Sequence, residues 1–107
     1  RNIFIDRSLV MLEKAVQKNP DSHYILDSLA WAYFKNNDLA KAAELMEEVI
    51  KIAPGEAISL DHLGDIYFAL GRKREAYFMW IQALDLAEPV DNISESVQMK
   101  LDKYNAR

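Results

Sequence analysis

Pro20 and Pro54 stand 34 residues apart, and the chain between and beyond them repeats itself in register. Setting the stretch from His23 on the stretch from Ala57 pairs Leu26 with Leu60, Leu29 with Leu63, Ala30 with Gly64 and Tyr33 with Tyr67. The register continues with Ala42 on Ala76, Met46 on Trp80 and Val49 on Ala83. A fixed period of this length marks a chain built from stacked copies of one supersecondary unit. Each copy touches only its neighbours and leaves an extended surface, so a packed catalytic pocket is not expected and function is to be sought on that surface.

Within each copy the apolar spacing is helical. Residues 6–18 carry Leu9, Leu12, Ala15 and Val16 and stop at Asn19-Pro20. Residues 23–36 place Leu26, Leu29, Ala30 and Tyr33 on one stripe, and Asn37 suits the left-handed turn that follows. Asp38 is expected to cap residues 39–52, with Pro54 as the stop. The cycle restarts over 57–70, turns at Gly71, runs over roughly 72–87 and stops at Pro89. A last helix is expected to begin at Asn92, with Glu95 completing a capping box and Ile93, Val97, Leu101 and Tyr104 on one side. No strand signal competes, and the fold class is all-α.

Composition sets limits. The 107 residues are 50% hydrophobic, with 13 Lys and Arg against 17 Asp and Glu, a net charge of -4. Residues 21–70 hold nine of the acids and three bases, which argues against a phosphate backbone as partner. No apolar run approaches the ~18 residues of a membrane-spanning helix. The absence of cysteine excludes disulfides and thiolate metal sites and leaves the compartment open between cytoplasm and periplasm. Because the chain begins at Arg1 inside an amphipathic pattern, it is expected to be a piece of a longer protein.

These residues resemble the tetratricopeptide repeat, whose pattern is W-x₂-L-G-x₂-Y, then A-x₃-F, then P. It reads here as Leu26, Leu29, Ala30, Tyr33, Ala42, Met46 and Pro54, and again as Leu60, Leu63, Gly64, Tyr67, Ala76 and Trp80 with Pro89 one residue late. The opening Trp is Leu in both copies and the first Gly is Ala30; each swap keeps an apolar or small residue at a packing contact. The resemblance covers about residues 5–90 and implies a right-handed superhelical array of antiparallel helix pairs closed by a C-terminal capping helix. The single domain then divides into a second helix of a truncated repeat (1–20), two repeats (21–54 and 55–89) and the cap (90–107). Gln98 stands where Gly64 would recur, as befits a cap. The wording also resembles the terminal repeats of large bacterial tetratricopeptide proteins.

The resemblance implies that one side of the first helix of each repeat lines a concave groove for peptides or helices of partner proteins. In this chain that side carries Tyr24, Asp27, Ser28, Trp31 and Phe34, and one period later Ile58, Asp61, His62, Asp65 and Phe68. Aromatic residues with interspersed acids suit a basic and apolar segment, and Trp31 is the expected anchor. The bland alternative is that Trp31, Phe34 and Phe68 pack on the next helix. Co-chaperones of the family hold acidic chaperone tails with Lys, Arg and Asn on this face; the acids here argue against that activity. A second function class is structural: the N-terminal end, with Ile3, Phe4, Ile5 and Leu9, stacks on further repeats or on a second copy. Enzyme readings fail on the residues: His23 and His62 belong to different helices without zinc spacing, and no phosphate loop or nucleophile elbow is present. Asp61 and Asp65 alone are a weak cation site, so no metal or cofactor is expected, and Arg72, Lys73 and Arg74 read as a solvated edge.

Overall fold

The computed structural model describes residues 3–105, with side chains from Arg7 onward. Among them there is no strand. The order is α1 (Ile3–Lys18), α2 (His23–Lys35), α3 (Leu39–Ile52), α4 (Ala57–Ala69), α5 (Lys73–Leu86), a 3₁₀ turn (Pro89–Asp91) and α6 (Ser94–Asn105). The chain forms two compact units, Arg1–Pro54 and Gly55–Arg107.

The same turn chemistry closes α2 and α4. Asn37 and Gly71 both have positive φ, 64° and 84°. Behind them the amides of Asp38 and Arg72 each donate to a tyrosine carbonyl, of Tyr33 and Tyr67, at 2.9 Å, while those of Asn37 and Gly71 donate to Phe34 and Phe68 at 3.0 Å. This paired bonding satisfies the last carbonyls of the helix and reverses the chain. Ser22 precedes α2, its hydroxyl accepting from the Ile25 amide at 3.4 Å. Asp38 occupies the cap position of α3 without capping it; its carboxylate accepts instead from the side-chain Nδ2 of Asn36 at 2.8 Å.

In the first unit α2 packs between α1 and α3. Leu26, Leu29, Ala30, Ala42, Ala43, Met46 and Val49 form the core, with Leu9 of α1 also buried at 7% exposure. The Tyr33 hydroxyl donates to Glu13 Oε2 of α1 at 2.8 Å. Burial and then that carboxylate push the phenol up to about 12. The self-association expectation is corrected at Leu9, whose side chain is buried inside the unit; among the described side chains of α1 the exposed large apolar ones are Val10 and Met11. Ile3, Phe4 and Ile5 of that expectation lie outside the residues whose side chains are described.

In the second unit α5 packs against both α4 and α6. Its core holds Leu60, Leu63, Ile66, Ala76, Trp80 and Ala83, and Val97 and Leu101 enter it from α6. Gly64 allows the close approach of Trp80: a Cβ there would lie 2.4 Å from Trp80 Nε1 and 2.5 Å from Cδ1, inside contact distance, so the ring would have to shift. The expected start of α6 at Asn92 is corrected. Asn92 is left-handed (φ 53°) and the reciprocal capping bonds belong to Glu88 and Asp91 of the 3₁₀ turn, so the helix begins at Ser94.

Candidate functional site

The α2 face follows from helical spacing. With Leu26, Leu29 and Ala30 committed to the core, Tyr24, Asp27, Ser28, Trp31 and Phe34 project from the other sides. Tyr24 is 69% exposed, its ring 4.0 Å from that of His23. Trp31 and Phe34 are half-buried and rest on each other at 4.7 Å between ring centres. Asp27 is half-buried, and the Ser28 hydroxyl bonds back to the Tyr24 carbonyl at 3.1 Å. The Lys35 ammonium stands 5.2 Å from the centre of the Trp31 ring, so the indole face already attracts a cation. A shallow groove of about 800 Å³ lies elsewhere in the unit, lined by Leu29 and Tyr33 with Lys41, Glu44, Leu45 and Glu48 of α3.

The corresponding residues of α4 have a different environment. Asp61 is buried at 8% exposure and His62, Asp65 and Phe68 are half-buried. Asp61 is thus not the exposed carboxylate its helix position suggests, because α6 covers it. The Lys100 ammonium of α6 lies 2.8 Å from Oδ1 of both Asp61 and Asp65 and 5.7 Å from the centre of the Trp80 ring. Phe68 packs on the same indole at 5.6 Å. Burial pushes the Asp65 carboxyl above its ordinary value, the Lys100 hydrogen bond and charge pull it back only in part, and Asp61 adds to the rise. Lys100 itself is drawn down by burial, but its bonds to Asp61 and Asp65 outweigh that and hold it above the ordinary amine value. The asymmetry is physical: Lys100 gains two carboxylates, whereas Asp65 shares its ammonium with a second acid.

Lys100 was not among the candidates from sequence. Its signal was there in Val97, Leu101 and Tyr104, an apolar stripe with one base inside it, one period away from a pair of acids spaced a helical turn apart. The basic run is also used locally: Arg72 pairs with Glu75 and lies 4.2 Å over the Tyr67 ring, and Lys73 stands over Phe68. Among the described residues no group of three or more His, Cys, Asp or Glu could hold a metal ion, and no helix is long and apolar enough to cross a membrane.

The family profile of the prolyl 4-hydroxylase peptide-substrate-binding domain, a tetratricopeptide repeat type, matches residues 2–62, more than half of the chain, and a second tetratricopeptide repeat profile matches 57–89. The chain belongs to the tetratricopeptide repeat family. No curated protein sequence matches it. Among solved structures it is similar to a tetratricopeptide repeat domain protein of Salinibacter ruber, at 23% identity and TM-score 0.73 over 79% of this chain and 97% of that one. It is similar to the first tetratricopeptide domain of Spaghetti (RPAP3), solved with the HSP90 peptide SRMEEVD, at 19% identity and TM-score 0.74 over 92% and 80%. The Sgt2 domain of Aspergillus fumigatus gives 18% identity and TM-score 0.76 over 96% and 72%. At these identities the likeness establishes the tetratricopeptide fold.

Proposed function

We propose that the chain is a protein-interaction module that holds a peptide or helix of a partner protein, with Trp31 on the α2 face as the anchor. The observation that carries this reading is the half-buried Trp31–Phe34 pair, flanked by exposed Tyr24 and by Asp27, on a helix whose core contacts are already made on other sides. Such rings offer large contact area at small entropic cost and dominate binding energy where they occur. The descriptions of related proteins support a peptide as occupant: one matching profile is of a peptide-substrate-binding domain, and Spaghetti (RPAP3) was solved with a peptide.

The charge of the occupant differs from that neighbour's. SRMEEVD is acidic, whereas Asp27 beside Trp31 favours Lys or Arg among apolar residues, and Lys35 over the indole marks where such a cation would sit. On α4 the carboxylates of Asp61 and Asp65 are bonded to Lys100, and the acidic contact in this reading is Asp27 on α2. Selection from a displayed random-peptide library tests the reading. Selected peptides are expected to be basic and apolar, and Trp31→Ala is expected to weaken them by about 2 kcal/mol or more. Equal binding by the variant overturns it.

A second reading, self-association through α1, is favoured by the exposure of Val10 (50%) and Met11 (71%). It predicts a mass above that of the monomer in light scattering, abolished by Met11→Glu.

A further inference from the structure

The C-terminal helix is held by an ion pair as well as by apolar contact. α6 touches its unit through Val97 and Leu101, which are buried, Tyr104, whose ring stacks on Tyr77 at 4.8 Å, and Lys100. These four fall at i, i+3, i+4 and i+7, the pattern by which an amphipathic helix enters a partner's groove. Glu95, Gln98, Met99 and Asp102 face solvent. At 12 residues α6 is too short to be a stable helix alone, so its structure depends on its seat.

The seat is specific. Asp61 and Asp65 present one oxygen each to a single nitrogen at 2.8 Å, beneath the ring of Trp80. Two carboxylate oxygens converging on one atom fit the compact ammonium of lysine rather than the planar fork of arginine. Asp61 is withdrawn from water, so the seat cannot be covered by an apolar or acidic residue at that point without leaving a buried charge uncompensated.

We propose that this seat is a helix-binding site that reads one lysine, filled here by the chain's own α6, and that a partner's amphipathic helix with lysine at the Lys100 position displaces it. The partner helix carries apolar residues three positions before, one after and four after that lysine, as α6 does. The site lies wholly in the second unit and stands apart from the α2 face, and its probe is unrelated to library-selected peptides.

The probe is a fluorescent synthetic peptide copying residues 93–105, added to the full chain. Against Lys100→Ala, whose own helix competes poorly, it is expected to bind about tenfold or more tighter than against the unaltered chain, because the open seat is more populated. The same peptide with Lys100→Glu is expected not to bind, and Asp61→Asn with Asp65→Asn in the chain to abolish binding. Equal affinity for Lys100→Ala and the unaltered chain, or equal binding of the lysine and glutamate peptides, overturns the proposal. Native-state hydrogen exchange on the unaltered chain keeps the test independent of the variants. Amides of α6 are expected to exchange by local opening well before those of α4 and α5; equal protection makes α6 an integral part of the unit and overturns displacement. A doubled mass in light scattering arising from exchange of α6 between copies assigns the seat to a second copy and overturns the partner assignment.

Discussion

Residue size at one helix crossing distinguishes the two repeats. Gly64 lies against Trp80, and one period earlier the same positions are Ala30 and Met46; all four are buried. A methionine side chain is flexible and yields space to a methyl group, whereas an indole is rigid. Gly64→Ala therefore sets two effects against each other. Alanine is intrinsically better in a helix by about 1 kcal/mol. Overpacking a tight core costs about 1–3 kcal/mol, and a Cβ placed 2.4 Å from a buried ring belongs at the upper end. The expected outcome is net destabilisation of about 1–2 kcal/mol in urea unfolding. It should shrink in a Trp80→Met background, where Gly64→Ala reconstructs the pairing of the first repeat. Stabilisation by the single change would show that the indole moves aside without cost.

At the scale of elements, the sequence was most legible where local chemistry decides. The turns at Asn37 and Gly71 were readable because few residue types tolerate positive φ, and the helices between the prolines follow from apolar spacing. The start of α6 was not readable: Asn92 and Glu95 imitate a capping box, but Asn92 is drawn into a left-handed conformation at the end of the 3₁₀ turn. Asp38 failed as a cap for a similar reason, since Asn36 competes for its carboxylate. The candidate site was half legible. Helical spacing sets Tyr24, Trp31 and Phe34 off the stripe of Leu26, Leu29 and Ala30, yet it could not show the contact of Lys100 with Asp61, residues 39 positions apart. Gly71→Ala tests the turn argument alone. No atom lies within 4 Å of a Cβ there, so the change carries only the backbone penalty of a left-handed residue, expected to be about 1–2 kcal/mol in thermal unfolding. Asn37→Gly, at the matching turn, is expected to change stability by a few tenths of a kcal/mol or less. A Gly71→Ala chain as stable as the unaltered one would mean that the turn rearranges rather than enforces φ.

For the molecule as a whole, charge and aromatic contact are expected to act on different steps of binding. The net charge of -4 and the nine acids against three bases in residues 21–70 attract a basic segment before any contact is made. That attraction works across water, where it is screened over about 10 Å at 0.1 M salt. In the proposed reading, stacking on Trp31 would act only after docking and over short range, so salt should leave it largely untouched. A library-selected basic peptide should then associate several-fold more slowly as salt rises from about 0.02 M to 0.2 M, with its dissociation rate nearly constant. Trp31→Ala should show the opposite split in stopped-flow fluorescence, with an association rate close to that of the unaltered chain and faster dissociation. Association that is indifferent to salt, or that quickens with it, would mean that the acidic character of the chain does not guide its ligand. The partner would then be selected by apolar contact at Trp31 and Phe34 alone.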